Sequence, residues 1–153
     1  MRDNALTRSM TTNDAQEIDA FLAEMRDAWA SGDADRYASM FTEDAVYVIF
    51  VGIASLGRKA IARDHEPVLT KWQRGSQMSM RVLDRRLIAH DVAVVLTEGG
   101  IGTRARIPHD KMQTFTLVRT ADGWRCAAFQ NTKKNRLFIR MNERAMHRSR
   151  SAA

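Results

Sequence analysis

The stretch that decides the fold of this chain is KMQTFTLVRTADGWRCAAFQNT, residues 111–132. Its two halves, 111–120 and 124–132, are rich in β-branched and aromatic residues, which favour strands. Between them lies Ala121-Asp-Gly123, and an Asp-Gly pair tolerates the positive φ of a tight turn. The stretch therefore predicts two antiparallel strands joined as a hairpin.

Three further strands are predicted upstream of this hairpin. Residues 78–88 begin with the alternation of apolar and polar side chains that is typical of a strand. A tight connection at His90-Asp91 leads into the next strand, which covers 92–98. Residues 45–51 are β-branched and aromatic, so we expect a strand that is buried on both faces, followed by a turn region over 52–56.

Three helices are predicted in the N-terminal half. The first begins at a capping box, with Asp14 as the N-cap and Glu17 three residues later. Asp33 caps a short second helix, and a third opens at Gly57. Pro67 predicts a kink or a restart in the third helix, because a proline inside a helix costs roughly 3 kcal/mol.

Helices and antiparallel strands therefore occur in separate runs, which is the pattern of an α+β fold rather than of alternating α/β units. Such a sheet must bury one face, and the three N-terminal helices are available to cover it. We expect one domain over 13–132, preceded by a flexible N-terminus over 1–12 and followed by a basic C-terminal tail over 133–153.

Composition and charge narrow the class of protein. With 44% hydrophobic and 27% charged residues, a chain of 153 residues is typical of one globular domain. The tail over 133–153 carries the whole formal charge of +6, whereas a nucleic-acid-binding domain usually builds its basic face into the fold, so no nucleic-acid partner is expected. The longest apolar run, 45–54, is about half of a membrane span, and no secretion signal is recognised, so a cytoplasmic protein without a membrane partner is expected.

Several segments make the sequence recognisable in chain order. They are Gly32-Asp-Ala34 with 37–45, Gly57-Arg58, Asp91-Val-Ala-Val-Val95 and 123–132, of which the ending Ala128-Phe-Gln-Asn-Thr132 is the most specific. On these segments the chain resembles the nuclear transport factor 2-like superfamily, and within its SnoaL-like and ketosteroid-isomerase-like branch it resembles the SgcJ/EcaC group. The resemblance covers residues 14–132. It implies a cone-shaped, curved mixed β-sheet wrapped around three N-terminal helices, with a pocket inside the cone, and usually a homodimer.

This resemblance leaves three functions open, because the fold hosts isomerases, cyclases, hydratases and binding proteins. Members of the SgcJ/EcaC group occur in enediyne and other polyketide gene clusters. This implies a small-molecule pocket protein that binds or shapes an apolar polyketide or polyene-type intermediate. The first alternative is an acid/base enzyme of the isomerase, cyclase or hydratase type that uses His65 with Asn131 or Gln130. The second is a non-catalytic homodimeric interaction module whose basic tail reaches an acidic partner.

The best acid/base candidate is His65, which shares the apolar stripe of the third helix with Ile61 and Trp72. The ordinary pKa of histidine suits proton transfer, although a core histidine bonded to a backbone carbonyl fits the same pattern. Gln130 and Asn131 point to opposite faces of their strand, and the sequence leaves open which of them faces the pocket. The residues expected to bind the ligand are Trp29, Tyr47, Trp72, Met80, Gln113, Gln130 and Asn131.

No cofactor and no metal are expected. The four histidines lie far apart, without the spacing of a metal site. The fragment Gly100-Ile-Gly102 does not follow a strand-to-helix unit, so it is not a dinucleotide-binding loop. Cys126, the single cysteine, is expected to pack within a strand and cannot form an internal disulfide, which fits a reducing compartment.

Overall fold

The computed structural model describes residues 9–151, with the side chains of residues 9–144. Its six strands are β1 (Phe41–Val48), β2 (Ala54–Leu56), β3 (Gln77–Ala89), β4 (Val92–Gly102), β5 (Lys111–Thr120) and β6 (Gly123–Lys133). They form one curved, open sheet in the order β2-β1-β6-β5-β4-β3. The sheet is mixed, because β1 and β6 run parallel while all other neighbours are antiparallel.

Helices cover one face of this sheet. They are α1 (Thr12–Ala30), α2 (Ala34–Ala38) and α3 (Arg58–Pro67), which continues as a single π-helical turn (Val68–Trp72), and a fourth helix, α4 (Arg136–Ser151), follows the last strand. The α+β class and the curved mixed sheet with its N-terminal helices are therefore confirmed. No helix within residues 9–151 is both long enough and apolar enough to cross a membrane.

The core lies between α1 and the face of the sheet that we call the inner face. From α1 come the buried side chains of Ile18, Leu22 and Met25, which recur at helical spacing. From the sheet come Val95 on β4 and Phe115 on β5. Because α1 and α3 pack on one face only, the opposite, outer face of the sheet carries the more exposed side chains.

The start of α1 corrects the predicted capping box. Thr11, not Asp14, is the N-cap: its hydroxyl accepts the Asp14 N–H at 3.1 Å, and the Asp14 carboxylate accepts the Thr11 N–H at 2.8 Å. Thr-x-x-Asp satisfies the same reciprocal pattern as the predicted box, one turn earlier in the chain. Glu17 instead pairs with Arg119 of β5. Of the predicted flexible N-terminus, residues 1–8 lie outside the described residues.

The predicted first strand is correct in type but wrong in its bounds and burial. It begins at Phe41 rather than Ala45, because Phe41 pairs with Cys126 of β6, whose N–H donates to the Met40 carbonyl at 2.9 Å. It is not buried on both faces, since Val46 on the outer face is exposed. The predicted turn over 52–56 also holds the short strand β2, which pairs with β1.

The other predicted boundaries agree closely with the structure. β5 has the predicted bounds, and β3, β4 and β6 are each extended by a few residues. Asp33 accepts the Arg36 N–H at 3.0 Å as the N-cap of α2. The break expected at Pro67 is present, because α3 ends there and the chain continues into the π-helical turn.

Candidate functional site

A cluster of aromatic rings lies where α1, α2 and α3 meet β1 on the inner face of the sheet. Tyr37 stands at its centre, with ring centroids 5.2 Å from Trp29, 5.4 Å from Phe41 and 5.0 Å from His65. Its hydroxyl lies 3.3 Å from that of Tyr47. Burial raises the pKa of both phenols well above the ordinary value, so this is a hydrogen bond between neutral hydroxyl groups. Trp29, Tyr47 and His65 of this cluster also line a cavity, so the cluster forms the floor of that cavity.

This cavity has a volume of about 700 Å³ and lies between the inner face of the sheet, the π-helical turn and the β1–β2 connection. Its apolar lining consists of Trp29, Tyr47, Ile49, Phe50, Ile53, Pro67, Val68, Trp72, Met78, Ile101 and Phe129, beside Gly100. The polar lining residues are Ser55, Arg63, Asp64, His65, Gln73, Lys111, Gln113 and Asn131. A volume of this size is within the range of small-molecule sites.

His65 is held in one tautomer at the wall of the cavity. Its side chain is buried, and Nδ1 lies 2.8 Å from the Ile61 carbonyl oxygen. A carbonyl can only accept, so Nδ1 carries the proton and Nε2 keeps its lone pair. Burial lowers the pKa of His65, which leaves the ring neutral at neutral pH. A neutral imidazole beside a cavity can bind a donor or take a proton through Nε2.

The lowered pKa of His65 predicts a pH dependence of stability. Between the folded and unfolded pKa values the unfolded chain binds more protons, so the free energy of unfolding rises with pH there. The neutral His65 ring makes its full contribution to stability above about pH 6.5, the pKa of histidine in the unfolded chain. That contribution is lost as the pH falls through the lower pKa of the folded state. We expect the melting temperature of the wild type to fall as the pH is lowered below about 6.5, and that of His65→Gln to fall less. His90→Gln, at an exposed turn, is the matched control; parallel curves for wild type and His65→Gln would contradict the assignment.

Two amide side chains lie directly opposite each other on the inner face. Gln113 of β5 pairs in register with Asn131 of β6. Gln113 Oε1 accepts a hydrogen bond from the Thr97 hydroxyl at 2.9 Å. Asn131 Oδ1 is buried, and none of the described residues gives it a hydrogen-bond partner. A buried carbonyl oxygen without a donor costs free energy, so this atom is suited to a donor that enters with a ligand.

Gly99 makes room for this arrangement. A Cβ atom at Gly99 would overlap Gln113 Oε1 and would lie 2.6 Å from the Ser79 carbonyl oxygen. Any larger residue at this position must therefore push the Gln113 amide out of its place beside Thr97. Gly99 thus sets the orientation of one of the two amides.

A cation stands beside the opening of the cavity. Lys111 Nζ lies 2.8 Å from Asp110 Oδ1 and 5.3 Å from the centroid of the Phe50 ring. Arg63 and Asp64 of α3 also line the cavity, and Asp64 Oδ2 accepts a hydrogen bond from the Ser55 hydroxyl at 2.7 Å. Hydrogen bonds from Arg63 and Ser55 lower the pKa of Asp64, which keeps it ionised. Charged groups therefore lie near the opening of the cavity and neutral amides deeper inside.

The structure brings together most of the residues that the sequence analysis expected at the ligand. Six of them line the cavity: Trp29, Tyr47, His65, Trp72, Gln113 and Asn131. Gln130 lies on the outer face, in a separate groove of about 400 Å³, and so is apart from the other six. Met80 is half-buried against the core and does not contact the cavity. Their roles in binding or catalysis stay predictions.

Sequence reasoning missed several residues of the cavity, of which Lys111 is the clearest. A signal for it was present, because Lys111 alternates in phase with Gln113 on the same strand. Ile49, Phe50 and Ile53 were missed because the sequence assigned them to the end of a strand and a turn. Thr97, which hydrogen-bonds Gln113, was also missed, because its place opposite Gln113 follows from the register of β4 and β5.

The described part of the chain shows neither a cluster of metal ligands nor a reactive thiolate. Within it, no group of three or more His, Cys, Asp or Glu side chains is placed to hold a metal ion. Cys126 is buried, and burial raises the pKa of its thiol, so it stays protonated.

A curved mixed sheet with helices packed on its inner face and a cavity beneath them defines the NTF2-like class, with its cystatin-like fold. A domain of unknown function with a cystatin-like fold from Nostoc punctiforme is 25% identical, with a TM-score of 0.73 over 87% of this chain and 86% of that one. An NTF2-like protein from Novosphingobium aromaticivorans is 21% identical, with a TM-score of 0.66 over 80% and 83%. A structure from Catenulispora acidiphila in complex with S-DNPA is 20% identical, with a TM-score of 0.68 over 84% and 99%.

The family is shown by sequence as well as by fold. The model of the SnoaL-like domain matches residues 18–130, and the chain therefore belongs to the SnoaL-like domain family. Comparison with curated protein sequences finds no match.

Proposed function

We propose that this protein binds an apolar small molecule carrying a hydrogen-bonding oxygen or nitrogen, with that polar group at Asn131. The observation that carries the proposal is the buried, unpartnered Asn131 Oδ1 on a cavity whose lining is largely apolar. A buried carbonyl oxygen without a donor costs free energy, and a hydroxyl or amide N–H of a bound molecule relieves that cost. SnoaL-like proteins commonly form pockets for ligands or for isomerase and cyclase reactions, which agrees with such a role.

The volume of about 700 Å³ and the largely apolar lining favour a sizeable apolar ligand, such as a long chain or a fused-ring system. Tyr47 and Phe129 form the inner wall, whereas Phe50, Ile53 and Trp72 stand at the open end. We propose a polyketide or polyene-type intermediate of natural-product biosynthesis, as in enediyne pathways, handled in the cytoplasm by a member of the SgcJ/EcaC group. The support for this narrower assignment is the sequence resemblance, above all the ending Ala128-Phe-Gln-Asn-Thr132.

Ligand binding can be tested with a matched pair of neighbours on opposite faces. A panel of polyenes, steroids and aromatic polyketides should contain a ligand that stabilises the wild type by about 2.7 kcal/mol at 100 times its dissociation constant. Asn131→Leu should lower the affinity for that ligand by roughly 2- to 13-fold, which corresponds to the loss of one hydrogen bond. Gln130→Leu should leave the affinity unchanged. Calorimetry or thermal shift measures both. Equal losses in the two variants, or no ligand in the panel, would count against the proposal.

The tautomer of His65 favours a second candidate function, an acid/base enzyme of the isomerase, cyclase or hydratase type. Nε2 has its lone pair free to take a proton from a carbon next to a carbonyl group, which would make the ring an imidazolium. Asn131 Nδ2 could donate a hydrogen bond to the oxygen on which negative charge develops. Of the two amides considered from the sequence, Asn131 lines the cavity and Gln130 does not.

Replacing His65 separates binding from catalysis. In His65→Gln, turnover of a substrate, or deuterium exchange at its acidic carbon, should fall by about 10²- to 10⁴-fold, while ligand-induced thermal stabilisation persists. The glutamine is close in size and can hydrogen-bond the Ile61 carbonyl, so the fold should be retained. Unchanged exchange in this variant would remove His65 from the mechanism.

We further propose that the protein is a homodimer through its outer face. This face carries a groove whose lining includes Val46, Val48, Met112, Thr114, Thr116, Ala128, Gln130 and Thr132. The exposed Val46 of this groove would be covered by a second copy. Light scattering is expected to give twice the chain mass, and Val46→Lys is expected to lower it. A monomer at all concentrations would contradict the dimer.

A further inference from the structure

The helix α4 presents its apolar side chains to solvent. Leu137 is 70% exposed, and Phe138, Ile139 and Met141 are exposed as well. Arg136, Arg140 and Arg144 are spaced four residues apart, so they form one stripe along the helix. The sector that follows this stripe around the helix holds Leu137, Met141 and Phe138. A helix in which a stripe of arginines borders a sector of large apolar residues is typical of segments that lie in the interface of a membrane.

A second group of exposed apolar side chains surrounds the opening of the cavity. Phe50, Val51 and Ile53 of the β1–β2 connection are exposed, and Trp72 at the end of the π-helical turn is 74% exposed. Phe50, Ile53 and Trp72 also line the cavity, so they form its rim. Large apolar side chains in water on two separate elements indicate a surface that is covered in use.

The rim and α4 lie at the same end of the sheet. Lys133, three residues before α4, pairs in register with Lys111. The ammonium group of Lys111 in turn lies over the ring of Phe50 on the rim. The helix therefore starts beside the opening of the cavity, and a surface that covers one group can cover the other.

We propose that this end of the protein docks on an anionic phospholipid membrane, with α4 in the interface and the cavity opening toward the lipid. Charge complementarity selects that partner, because the segment 133–153 holds seven cations and one acid while residues 1–132 are neutral. The apolar rim and the apolar side of α4 have no part in a purely electrostatic contact with nucleic acid or an acidic protein. A lipid surface accepts both groups without a matching groove. Docking on a membrane surface is independent of the ligand proposed above and is distinct from spanning the bilayer.

Intrinsic fluorescence provides a direct test. Of the three tryptophans, Trp29 and Trp124 are buried, so Trp72 on the rim is the one that can meet lipid. With phosphatidylcholine vesicles containing about a quarter phosphatidylglycerol, we expect cosedimentation, a blue shift of the emission and quenching by acyl-chain-brominated lipid. Pure phosphatidylcholine vesicles should bind at least about tenfold more weakly. No binding and no quenching with the anionic vesicles would overturn the proposal.

Variants on α4 separate the apolar from the electrostatic part. The pair Leu137→Gln with Phe138→Gln should weaken vesicle binding by at least about tenfold at constant charge, and Arg140→Gln with Arg144→Gln should do the same on anionic lipid. Glu143→Gln, on the same helix, is the control and should bind at least as well as the wild type. All positions are exposed, and circular dichroism checks the helix. If only the arginine variants lost binding, or if DNA or polyglutamate bound more tightly than vesicles, membrane docking would be overturned in favour of an acidic macromolecule.

Discussion

Tyr37→Ala is expected to lower the free energy of unfolding by about 3–5 kcal/mol, as removal of a fully buried aromatic ring usually does. The ring of Tyr37 packs edge-on against Trp29, Phe41 and Tyr47 and is tilted against His65. The ring contacts α1, β1 and α3 at once. These elements therefore cannot move in to fill the gap that the ring leaves without losing contacts with one another. Urea or guanidinium unfolding at constant slope measures the loss.

Tyr37→Phe is the matched control for this prediction. It keeps the ring and removes the hydroxyl that lies 3.3 Å from the Tyr47 hydroxyl, so it should cost only about 0.5–1.5 kcal/mol. A similar cost for both variants would show that the hydroxyl pair, rather than the packing of the ring, holds the floor of the cavity. A small cost for Tyr37→Ala alone would show that the floor can collapse around the gap.

Gly100→Ala is expected to lower the free energy of unfolding by at least about 1–3 kcal/mol, because there is no space for the added methyl group. A Cβ atom at Gly100 would overlap the Pro108 carbonyl oxygen and lie 3.3 Å from Asp110 Oδ1. The Pro108 carbonyl oxygen belongs to the backbone of a segment that hydrogen bonds hold in place. Lys134 N donates to the Asp110 carbonyl at 2.8 Å, and His109 Nε2 lies 2.8 Å from the Ser79 hydroxyl oxygen. Thermal unfolding of the variant measures the cost.

Gly102→Ala, two residues further along the same strand, is the control for Gly100→Ala. Its Cβ atom would meet only side-chain atoms of Ile107, the nearest at 3.7 Å, which is an ordinary contact. We expect a change within about 0.5 kcal/mol, the usual range for a substitution without a clash. If the two variants lost the same free energy of unfolding, the loss would come from replacing a flexible glycine in the strand. It would then not come from the close approach of residues 103–110.

Much of the fold could be predicted because its late strands are local. The hairpin of β5 and β6 follows from two β-rich runs and Asp122-Gly123, and Gly123 does adopt φ of 96°. The first strand was harder, because Phe41 continues the helical spacing set by Tyr37, and only pairing with Cys126 makes it part of β1. β2 has three residues and exists through its pairing with β1, so its own sequence gives no strand signal.

The orientation of the two amides could not be read from alternation, because a β-bulge interrupts it. Thr116 pairs with Ala128 but Leu117 pairs with Cys126, so Ala127 is an extra residue in β6. Cys126 is buried before the bulge and Phe129 after it, although the two have opposite parity. Strict alternation from Cys126 would therefore have placed Gln130 inside, whereas Asn131 lines the cavity.

The parallel pairing of β1 with β6 has a consequence for synthesis on the ribosome. Tyr47 of β1 pairs with Phe129 of β6, so one hydrogen-bonding edge of β1 stays without its partner until the last strand has been translated. Pairings so distant along the chain slow folding, since the long intervening loop must be ordered first. A nascent chain stopped before residue 123 should therefore be sensitive to protease and prone to aggregation, whereas release of the finished chain should make it resistant.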